Sequence, residues 1–160
     1  MTHDVFISYS STNKNAAQAV CHILEQNKVK CWIAPRDITG GFSYEDLTYD
    51  AISHAKVFIV IFSESSSASK WCQAELSIAF TEQKHIILFQ IDNAPLEGPK
   101  RLILNQAHRI DAYPDYEEKI KELVESTILV LRRKSKVADV GSVGCKPITM
   151  IRGNGNTFTR

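Results

Sequence analysis

The segment KVFIVIFS, residues 56–63, shows no alternation of polar and apolar side chains. A strand with one face in water would alternate, because successive side chains point to opposite sides of a sheet. An uninterrupted apolar strand is instead typical of a parallel sheet covered by helices on both faces. The chain is therefore expected to contain a sheet that is buried on two sides.

Helical patterns alternate with strand patterns along the sequence. Ser43 followed by Glu45 and Asp46 is typical of a helix start, where a capping hydroxyl and acidic residues are favourable. Apolar residues recur at helical spacing elsewhere in the chain. The predicted strands are 4–9, 29–33, 56–63, 85–91 and a short strand near 107–110, and the predicted helices cover 14–27, 43–55, roughly 70–83 and 116–134.

This order of elements predicts an α/β fold with a parallel sheet and right-handed crossover connections. For about five strands the expected architecture is a flavodoxin-like three-layer fold with strand order 2-1-3-4-5 and helices on both faces. Ligands in such folds bind beyond the carboxyl ends of the strands, at the switch point between strands 1 and 3. The loops after these two strands are YSSTNK (9–14) and SESSSASK (63–70), so candidate binding residues are expected there.

Composition limits the possible classes of protein. The chain has 160 residues and a formal net charge of +1, which fits one ordinary domain and gives no electrostatic basis for binding nucleic acid. The longest apolar stretch is too short to span a bilayer, and the N-terminus lacks signal-peptide features. We therefore expect no membrane partner.

The cysteines and the C-terminal segment lead to predictions about the compartment and the domain boundary. Cys21, Cys31, Cys72 and Cys145 form no CxxC pair and are interpreted as free thiols, which predicts a cytoplasmic protein. The predicted domain covers residues 1–134. Residues 135–160 are rich in Gly, Ser, Thr and Asn and are interpreted as a disordered tail, a short hairpin or a linker to a further domain.

The helix over roughly 70–83 carries a carboxylate in an unusual place. Helical geometry puts Cys72, Leu76, Ala79 and Phe80 on one face, which is assigned to the core. Glu75 then falls roughly 85° from the centre of that face, at its border. Trp71 lies one turn before Glu75. Two interpretations stay open at this point: a partly exposed glutamate beside a tryptophan that shields the core edge, or a functional carboxylate near the predicted crevice.

Other candidates also have two interpretations. Arg36 and Asp37, in the loop APRDITGG (34–41), either pair and brace the loop or meet phosphates or a neighbouring subunit. Trp32 is favoured as a core residue, although its position just before the loop keeps it a candidate for ligand contact. Polar residues are ordinary where a strand ends, but they also contact ligands there. The candidates of this kind are Tyr9, Ser10 and Ser11.

Several classes of site are excluded by missing motifs. A receiver domain needs acidic residues after strand 1 and an aspartate after strand 3, where this chain has Ser8-Tyr9 and Phe62-Ser63. The sequence contains neither G-x-G-x-x-G nor G-K-[ST], so it lacks the fingerprints of dinucleotide-binding and P-loop domains. The five histidines have no metal-ligand spacing and are interpreted as structural, so no metal site is predicted.

Four segments together resemble a TIR domain of bacterial type. They are DVFISYSSTNKNAA, CWIAPRDITGG, AISHAKVFIVIFSESSSASKWCQAEL and HIILFQID, and the resemblance covers roughly residues 3–134. WCQAE fits the Trp-x-x-x-Glu pattern of the NAD-cleaving members. The resemblance thus implies that Glu75 is catalytic and that Trp71 lines the substrate pocket. PRDITGG corresponds to the family's BB loop, which shapes the pocket and contacts other subunits.

The resemblance also implies an activity. By similarity the chain would be an NAD⁺ glycohydrolase, releasing nicotinamide and either ADP-ribose or a cyclic isomer, activated by self-assembly and working in antiphage defence. It would need no metal and no cofactor besides NAD⁺ as substrate. A fused or separate sensor or effector domain would be a partner. The substrate-binding residues would be Trp71, Tyr9, Ser10, Ser11, Trp32, Pro35, Arg36, Asp37 and Ser69, and the assembly loop would be Arg36, Asp37, Ile38, Thr39, Gly40 and Gly41.

The main alternative is a non-enzymatic TIR module that only binds other TIR domains. An intact pair of Trp71 and Glu75 argues against it, because a scaffold does not need that pair. Animal signalling members usually have Pro-Gly where this chain has Thr39-Gly40, and they carry a Phe-Trp box that is missing here. Both differences make a receptor-adaptor role less favoured and leave the enzyme interpretation unchanged.

Overall fold

The computed structural model describes residues 2–151, with side chains described as far as residue 138. One parallel sheet of five strands forms its centre, in the order β2-β1-β3-β4-β5. Every neighbouring pair of strands is parallel. The predicted flavodoxin-like α/β fold with strand order 2-1-3-4-5 is therefore confirmed.

The strands are short, and helices connect them. The strands are β1 (Val5–Ser8), β2 (Cys31–Trp32), β3 (Val57–Phe62), β4 (His85–Gln90) and β5 (His108–Asp111). The helices are α1 (Lys14–Gln26), α2 (Tyr44–His54), α3 (Glu64–Ala68), α4 (Lys70–Thr81), α5 (Lys100–Leu104) and α6 (Tyr116–Ile151). A 3₁₀ turn at Ser11–Asn13 precedes α1.

The central strand β3 shows why the apolar run does not alternate. Val57, Ile59 and Ile61 pack into a core with residues of α1 and α6, on one side of the sheet. Phe58, Val60 and Phe62 pack into a second core with residues of α2 and α4, on the other side. Both faces of β3 are thus covered, and every residue of the strand is buried.

Capping side chains define where the helices on the second face begin. The Ser43 side chain accepts a hydrogen bond from the Asp46 backbone N–H, as the sequence predicts. The Ser69 side chain accepts one from the Cys72 N–H at 3.3 Å and starts α4 directly after the short helix α3. These two caps fix the ends of α2 and α4 that face the carboxyl edge of β1.

Three helical features differ from the sequence predictions. The short helices α3 and α5 lie in segments for which the sequence predicts no helix. The last helix does not end near residue 134 but continues to Ile151. Gly141 and Gly144 disfavour a helix by about 1 kcal/mol each, which weakens the pattern without forbidding the conformation. The role of residues 135–160 as tail or linker stays a prediction, and residues 152–160 lie outside the described part.

Within residues 2–151, no helix combines the length and the apolar character that crossing a membrane requires.

Candidate active site

A cavity of about 280 Å³ lies at the carboxyl end of β1. The loop after β2, the start of α2 and the first turns of α4 close its other sides. This is the edge of the sheet where ligands bind in folds of this topology. The lining residues are Phe6, Ile7, Tyr9, Ser10, Ser11, Trp32, Ala34, Pro35, Tyr44, Ser69, Trp71 and Glu75.

Glu75 is buried, with 6% of its surface exposed. The prediction that it lies at the border of the core face is wrong, and so is the placement of Phe80 in the core, since Phe80 is 45% exposed. The buried residues of α4 are Cys72, Glu75, Leu76 and Ala79. When Glu75 is counted among the buried residues in place of Phe80, the centre of the buried face of α4 moves by roughly 35° toward Glu75.

Ser8 is the partner of the buried carboxylate. The Ser8 hydroxyl donates a hydrogen bond to Glu75 Oε1 at 2.7 Å, and Ser8 itself is 1% exposed. Among the residues that the structure describes, no cation forms an ion pair with Glu75. A buried carboxylate is normally paired, so a single neutral donor leaves its charge poorly compensated.

The protonation of Glu75 reflects this environment. Burial raises the pKa of Glu75 to about 7, although the hydrogen bond from Ser8 opposes the rise. Burial also raises the pKa of Tyr9 and of Tyr44, and the Glu75 carboxylate adds to both shifts. Near neutral pH both the ionised and the protonated form of Glu75 are therefore present, which suits a group that acts on a bound substrate.

Aromatic rings form two walls of the cavity. Trp71 is half exposed and meets the ring of Tyr44 edge to face, with centroids 4.8 Å apart. Trp32 is buried and stacks on Phe6, with centroids 5.0 Å apart. Trp32 thus belongs to the core and also lines the cavity, and its contact with a ligand stays a prediction. Flat apolar walls next to one carboxylate suit a ligand that has a planar ring and a charge.

The structure brings together most of the residues predicted to bind substrate. Glu75 and Trp71 line the cavity, and so do Tyr9, Ser10, Ser11, Trp32, Pro35 and Ser69. The Tyr9 hydroxyl donates to the Ala34 carbonyl and ties the loop after β1 to the loop after β2. The Ser69 hydroxyl caps α4, so one of its lone pairs already accepts a hydrogen bond from a backbone N–H of the helix.

Arg36 and Asp37 lie outside this lining and brace the loop. Arg36 donates to Glu25 Oε1, to the Cys31 carbonyl oxygen and to Asp37 Oδ2, each at 2.9 Å. Asp37 Oδ2 also accepts from the Ile33 N–H at 2.9 Å. The bracing interpretation therefore describes this arrangement, and a contact of Arg36 or Asp37 with substrate stays a prediction.

The rest of the assembly loop faces outward. Thr39, Gly40 and Gly41 are exposed, and Ile38 packs partly against the core of the second face. Gly41 has a φ of 91°, a conformation that favours glycine. Phe42 follows with 70% of its surface exposed. A large apolar side chain is thus exposed directly after the assembly loop.

Sequence reasoning missed Ser8 and Tyr44 as residues of the site. Ser8 ends the otherwise apolar strand VFIS, and a polar residue that closes a buried strand is the signal that could have identified it. Tyr44 directly follows the capping Ser43, and no sequence pattern marks it as a residue of the site. Within the part of the chain with described side chains, no cluster of three or more His, Cys, Asp or Glu is arranged to hold a metal.

Comparison with known proteins identifies the family. A family model for the TIR domain matches residues 5–124, well over half of the chain. No curated protein matches the sequence.

Several solved structures resemble the chain. The TIR domain of the Toll-related Receptor TRR-2 from Hydra magnipapillata is 23% identical with a TM-score of 0.59, covering 78% of this chain and 99% of that one. A TIR-STING receptor from C. gigas in complex with 2′,3′-cGAMP is 20% identical with a TM-score of 0.62, covering 78% of this chain and 39% of that one. The CMP N-glycosidase BcmB of Clostridium botulinum is 18% identical with a TM-score of 0.54, covering 74% and 97%.

These identities are low, so the structural likeness shows a shared fold and no shared activity. The family model and the solved TIR domains agree with each other and with the observed sheet order. The chain therefore belongs to the TIR domain family.

Proposed function

We propose that this TIR domain is an NAD⁺ glycohydrolase with Glu75 as its catalytic residue. The observation that carries the proposal is the burial of Glu75 in a cavity at the carboxyl edge of β1, with Ser8 as its partner. A carboxylate that only capped or solubilised a helix would lie in water. The position of Trp71 and Glu75 in one cavity supports the roles implied by the Trp-x-x-x-Glu pattern.

The reaction requires few catalytic groups. The bond between ribose C1′ and the nicotinamide nitrogen breaks, and its electron pair returns to the nitrogen, so a pyridinium leaves as neutral pyridine. This leaving group needs no proton, whereas most glycosidases use a second carboxyl group to protonate theirs. The ionised Glu75 would stabilise the positive charge that develops on the ribose. Water then bonds to C1′ and loses a proton, giving ADP-ribose, or a group of the same nucleotide attacks and gives a cyclic isomer.

The size of the cavity bears on assembly. Its volume of about 280 Å³ lies just below the usual range of ligand pockets, which is ~300–1,000 Å³. One nucleoside half of NAD⁺ would occupy it, and the other half would extend outside this chain. We propose that a second copy, docked through the loop that carries Phe42, supplies the remaining contacts. Self-assembly would then raise activity by completing the binding site.

The biological setting is proposed from the resemblance to bacterial TIR domains. NAD⁺ cleavage would serve antiviral defence in the cytoplasm, under the control of a fused or separate sensor domain.

A second candidate reaction is the cleavage of a nucleoside monophosphate. A neutral pyrimidine must be protonated as it leaves, and a Glu75 that holds its proton up to about pH 7 could supply that proton. The small cavity also suits a single nucleotide. The BcmB structure shares the fold, and its name describes cleavage of CMP.

Product analysis tests the proposal. The purified chain, concentrated to promote assembly, is incubated with NAD⁺ or CMP, and products are separated by chromatography. Release of nicotinamide with ADP-ribose or a cyclic isomer is the expected result. Release of cytosine alone would favour the second candidate, and no product from either substrate would favour the scaffold alternative.

A further inference from the structure

Helix α6 is much longer than the part of it that packs on the sheet. It runs from Tyr116 to Ile151, which is roughly 54 Å at 1.5 Å per residue. Its buried residues pack with α1 on one side of the sheet. Among its described side chains, the last buried one is Thr127. An outward face of α6 is therefore open to solvent, both over the domain and beyond it.

This outward face carries charged residues arranged around one leucine. Glu122 and Glu125 lie seven and four residues before Leu129, and Arg133 and Lys136 lie four and seven residues after it. At 100° per residue, the four charged residues fall within about 40° of Leu129 around the helix. All five side chains are exposed, Leu129 by 51%. These five residues are called the α6 stripe.

The helix dipole does not account for the separation of charge along the stripe. Acidic residues are favourable in the first turn of a helix and basic residues in the last turn, and the effect fades within about one turn of each end. Glu125 lies about two and a half turns after Tyr116, and Lys136 lies about four turns before Ile151. Neither charged group is close enough to its end of α6 to be stabilised in this way.

Like charges are neighbours within each half of the stripe. Glu122 and Glu125 are three residues apart, and so are Arg133 and Lys136, a spacing that brings side chains together on a helix surface. Glu122 meets Lys119 of its own helix at 3.1 Å. Among the described side chains, the other three charged residues of the stripe form no ion pair. Opposite charges from another molecule would relieve the repulsion in both halves.

A partner has to match the acidic half and the basic half together. A polyanion would be repelled by the acidic half, and a polycation would be repelled by the basic half. A second copy of the stripe, laid antiparallel with a two-fold axis at Leu129, matches both halves, because the spacings before and after Leu129 are equal. Glu125 then faces Arg133 of the second copy, and Glu122 faces Lys136 of the second copy. The two Leu129 side chains meet at the centre.

We propose that two copies of this chain pair through the α6 stripe, antiparallel and two-fold symmetric about Leu129. Such an interface uses the same surface on both copies, so it closes into a dimer and grows no further. Helix α6 packs on the side of the sheet opposite α4, so the pairing leaves the Glu75 cavity uncovered. The interface is separate from the docking proposed through the loop that carries Phe42, and it does not rest on the proposed NAD⁺ cleavage.

Sedimentation velocity of the whole chain, without NAD⁺, tests this inference. The Phe42→Ser variant is used throughout, so that docking through the loop does not contribute. We expect a monomer–dimer equilibrium at about 20 mM salt, with a dissociation constant at least about tenfold higher at about 0.5 M salt, because salt screens exposed charge pairs. A chain that stays monomeric at about 200 µM in low salt would overturn the inference, and so would a dimer that salt does not weaken.

Two charge reversals and their mixture assign the contacts. Glu125→Arg and Arg133→Glu each place like charges opposite each other twice in a two-fold dimer, so each should raise the dissociation constant at least about tenfold. An equimolar mixture of the two variants should regain the dimer, because every contact of the mixed pair joins opposite charges. Glu97→Arg and Arg101→Glu make the same changes at exposed residues outside α6 and should leave the dissociation constant unchanged. A mixture that associates no better than either variant alone, or equal weakening by the two controls, would show that the stripe is not the interface.

Discussion

At the scale of single residues, Glu75 is an acid held in an unfavourable environment. Burial raises its pKa from 4.5 to about 7, and the Ser8 hydroxyl is its hydrogen-bond donor. A carboxylate of this kind destabilises the folded chain when it is ionised, because its charge is better solvated in the unfolded chain. Such a cost is typical of functional sites, where a reactive group is kept although it weakens the fold.

Replacing Glu75 should therefore change stability in a pH-dependent way. Between pH 4.5 and about 7 the folded chain holds a proton that the unfolded chain has lost, so stability falls as pH rises through this window. Glu75→Gln removes the effect. The variant should be more stable than the wild type by a few kcal/mol at pH 8, and the difference should be nearly absent at pH 4.

Thermal unfolding of both proteins from pH 4 to pH 8 measures this difference. The gap in melting temperature should widen up to about pH 7 and then stay constant. A gap that is independent of pH would show that burial does not perturb the titration of Glu75.

Ser8 should influence the pH dependence of the proposed NAD⁺ cleavage. If the ionised form of Glu75 is active, kcat/KM rises with pH and levels off above about 7. Ser8→Ala removes the hydrogen bond that favours the carboxylate, so the midpoint should move up by about one pH unit. The measurement is the pH profile of kcat/KM for NAD⁺.

Ser77→Ala is the matched control, because Ser77 is exposed on the same helix and bonds only to the Gln73 carbonyl. Its profile should equal that of the wild type. A Ser8→Ala profile with an unmoved midpoint would mean that Ser8 does not influence the ionisation of Glu75.

Glu75 and Ser8 show which features of the site could not be predicted from the sequence. The match of WCQAE to a family pattern selects Glu75 as the catalytic candidate, but the helical wheel places it at the border of the core face. The wheel failed because Phe80 was counted as buried from its hydrophobicity, although it is 45% exposed. Ser8 was missed because its role depends on α4 lying across the end of β1, a long-range packing relation that local periodicity does not contain.

At the scale of elements, the first turns of α4 carry both the carboxylate and one aromatic wall. The cap at Ser69 fixes where α4 begins, and Trp71 and Glu75 lie four residues apart on the side that faces α2 and β1. The Tyr44 ring at the start of α2 completes the wall. Two helix starts therefore determine the geometry of the site.

Trp71→Ala should weaken substrate binding more than it weakens the fold. Trp71 is 50% exposed, so its removal should lower the free energy of unfolding by only ~1 kcal/mol, mostly through the contact with Tyr44. Loss of the wall should raise KM for NAD⁺ about tenfold, with a smaller effect on kcat. Steady-state kinetics and chemical denaturation give the two quantities.

Phe80→Ala removes the other half-exposed ring of α4, away from the cavity, and should change stability to a similar extent without raising KM. An equal rise of KM in both variants would show that Trp71 acts only through the stability of α4.

The elements themselves were predictable to different degrees. The long strands and helices followed from periodicity and capping residues. The five-residue helices α3 and α5 did not, because they are shorter than two turns and show no repeat. The end of α6 is misplaced because Gly141, Gly144 and Pro147 all disfavour a helix, the proline by about 3 kcal/mol, although the helix continues through them.

At the scale of the whole molecule, the sheet order followed from the alternation of elements, and the family followed from the motifs. A partner surface is predicted only by the resemblance, which assigns subunit contacts to the loop PRDITGG. The small cavity, and the exposed Phe42 two residues before the cavity-lining Tyr44, are the basis of our proposal that the active form contains more than one copy.

Specific activity should therefore rise with protein concentration. A completed site binds NAD⁺ better, so kcat/KM should increase over about a hundredfold range of enzyme concentration, together with the mass measured by light scattering. Phe42→Ser should flatten the dependence without unfolding the domain, because the residue is 70% exposed on a loop.

Val137→Ser changes an equally exposed apolar residue on α6 and should keep the dependence. Constant specific activity from a species that stays monomeric would show that one chain forms a complete site.

The most direct test of the account is the turnover of NAD⁺ by wild-type protein and by Glu75→Gln at equal concentration. Glutamine keeps the shape of the side chain and can still accept from Ser8, but it has no charge to stabilise the developing cation. With circular dichroism unchanged, nicotinamide release should fall by about a thousandfold or more. Undiminished release from a folded Glu75→Gln protein would contradict the account.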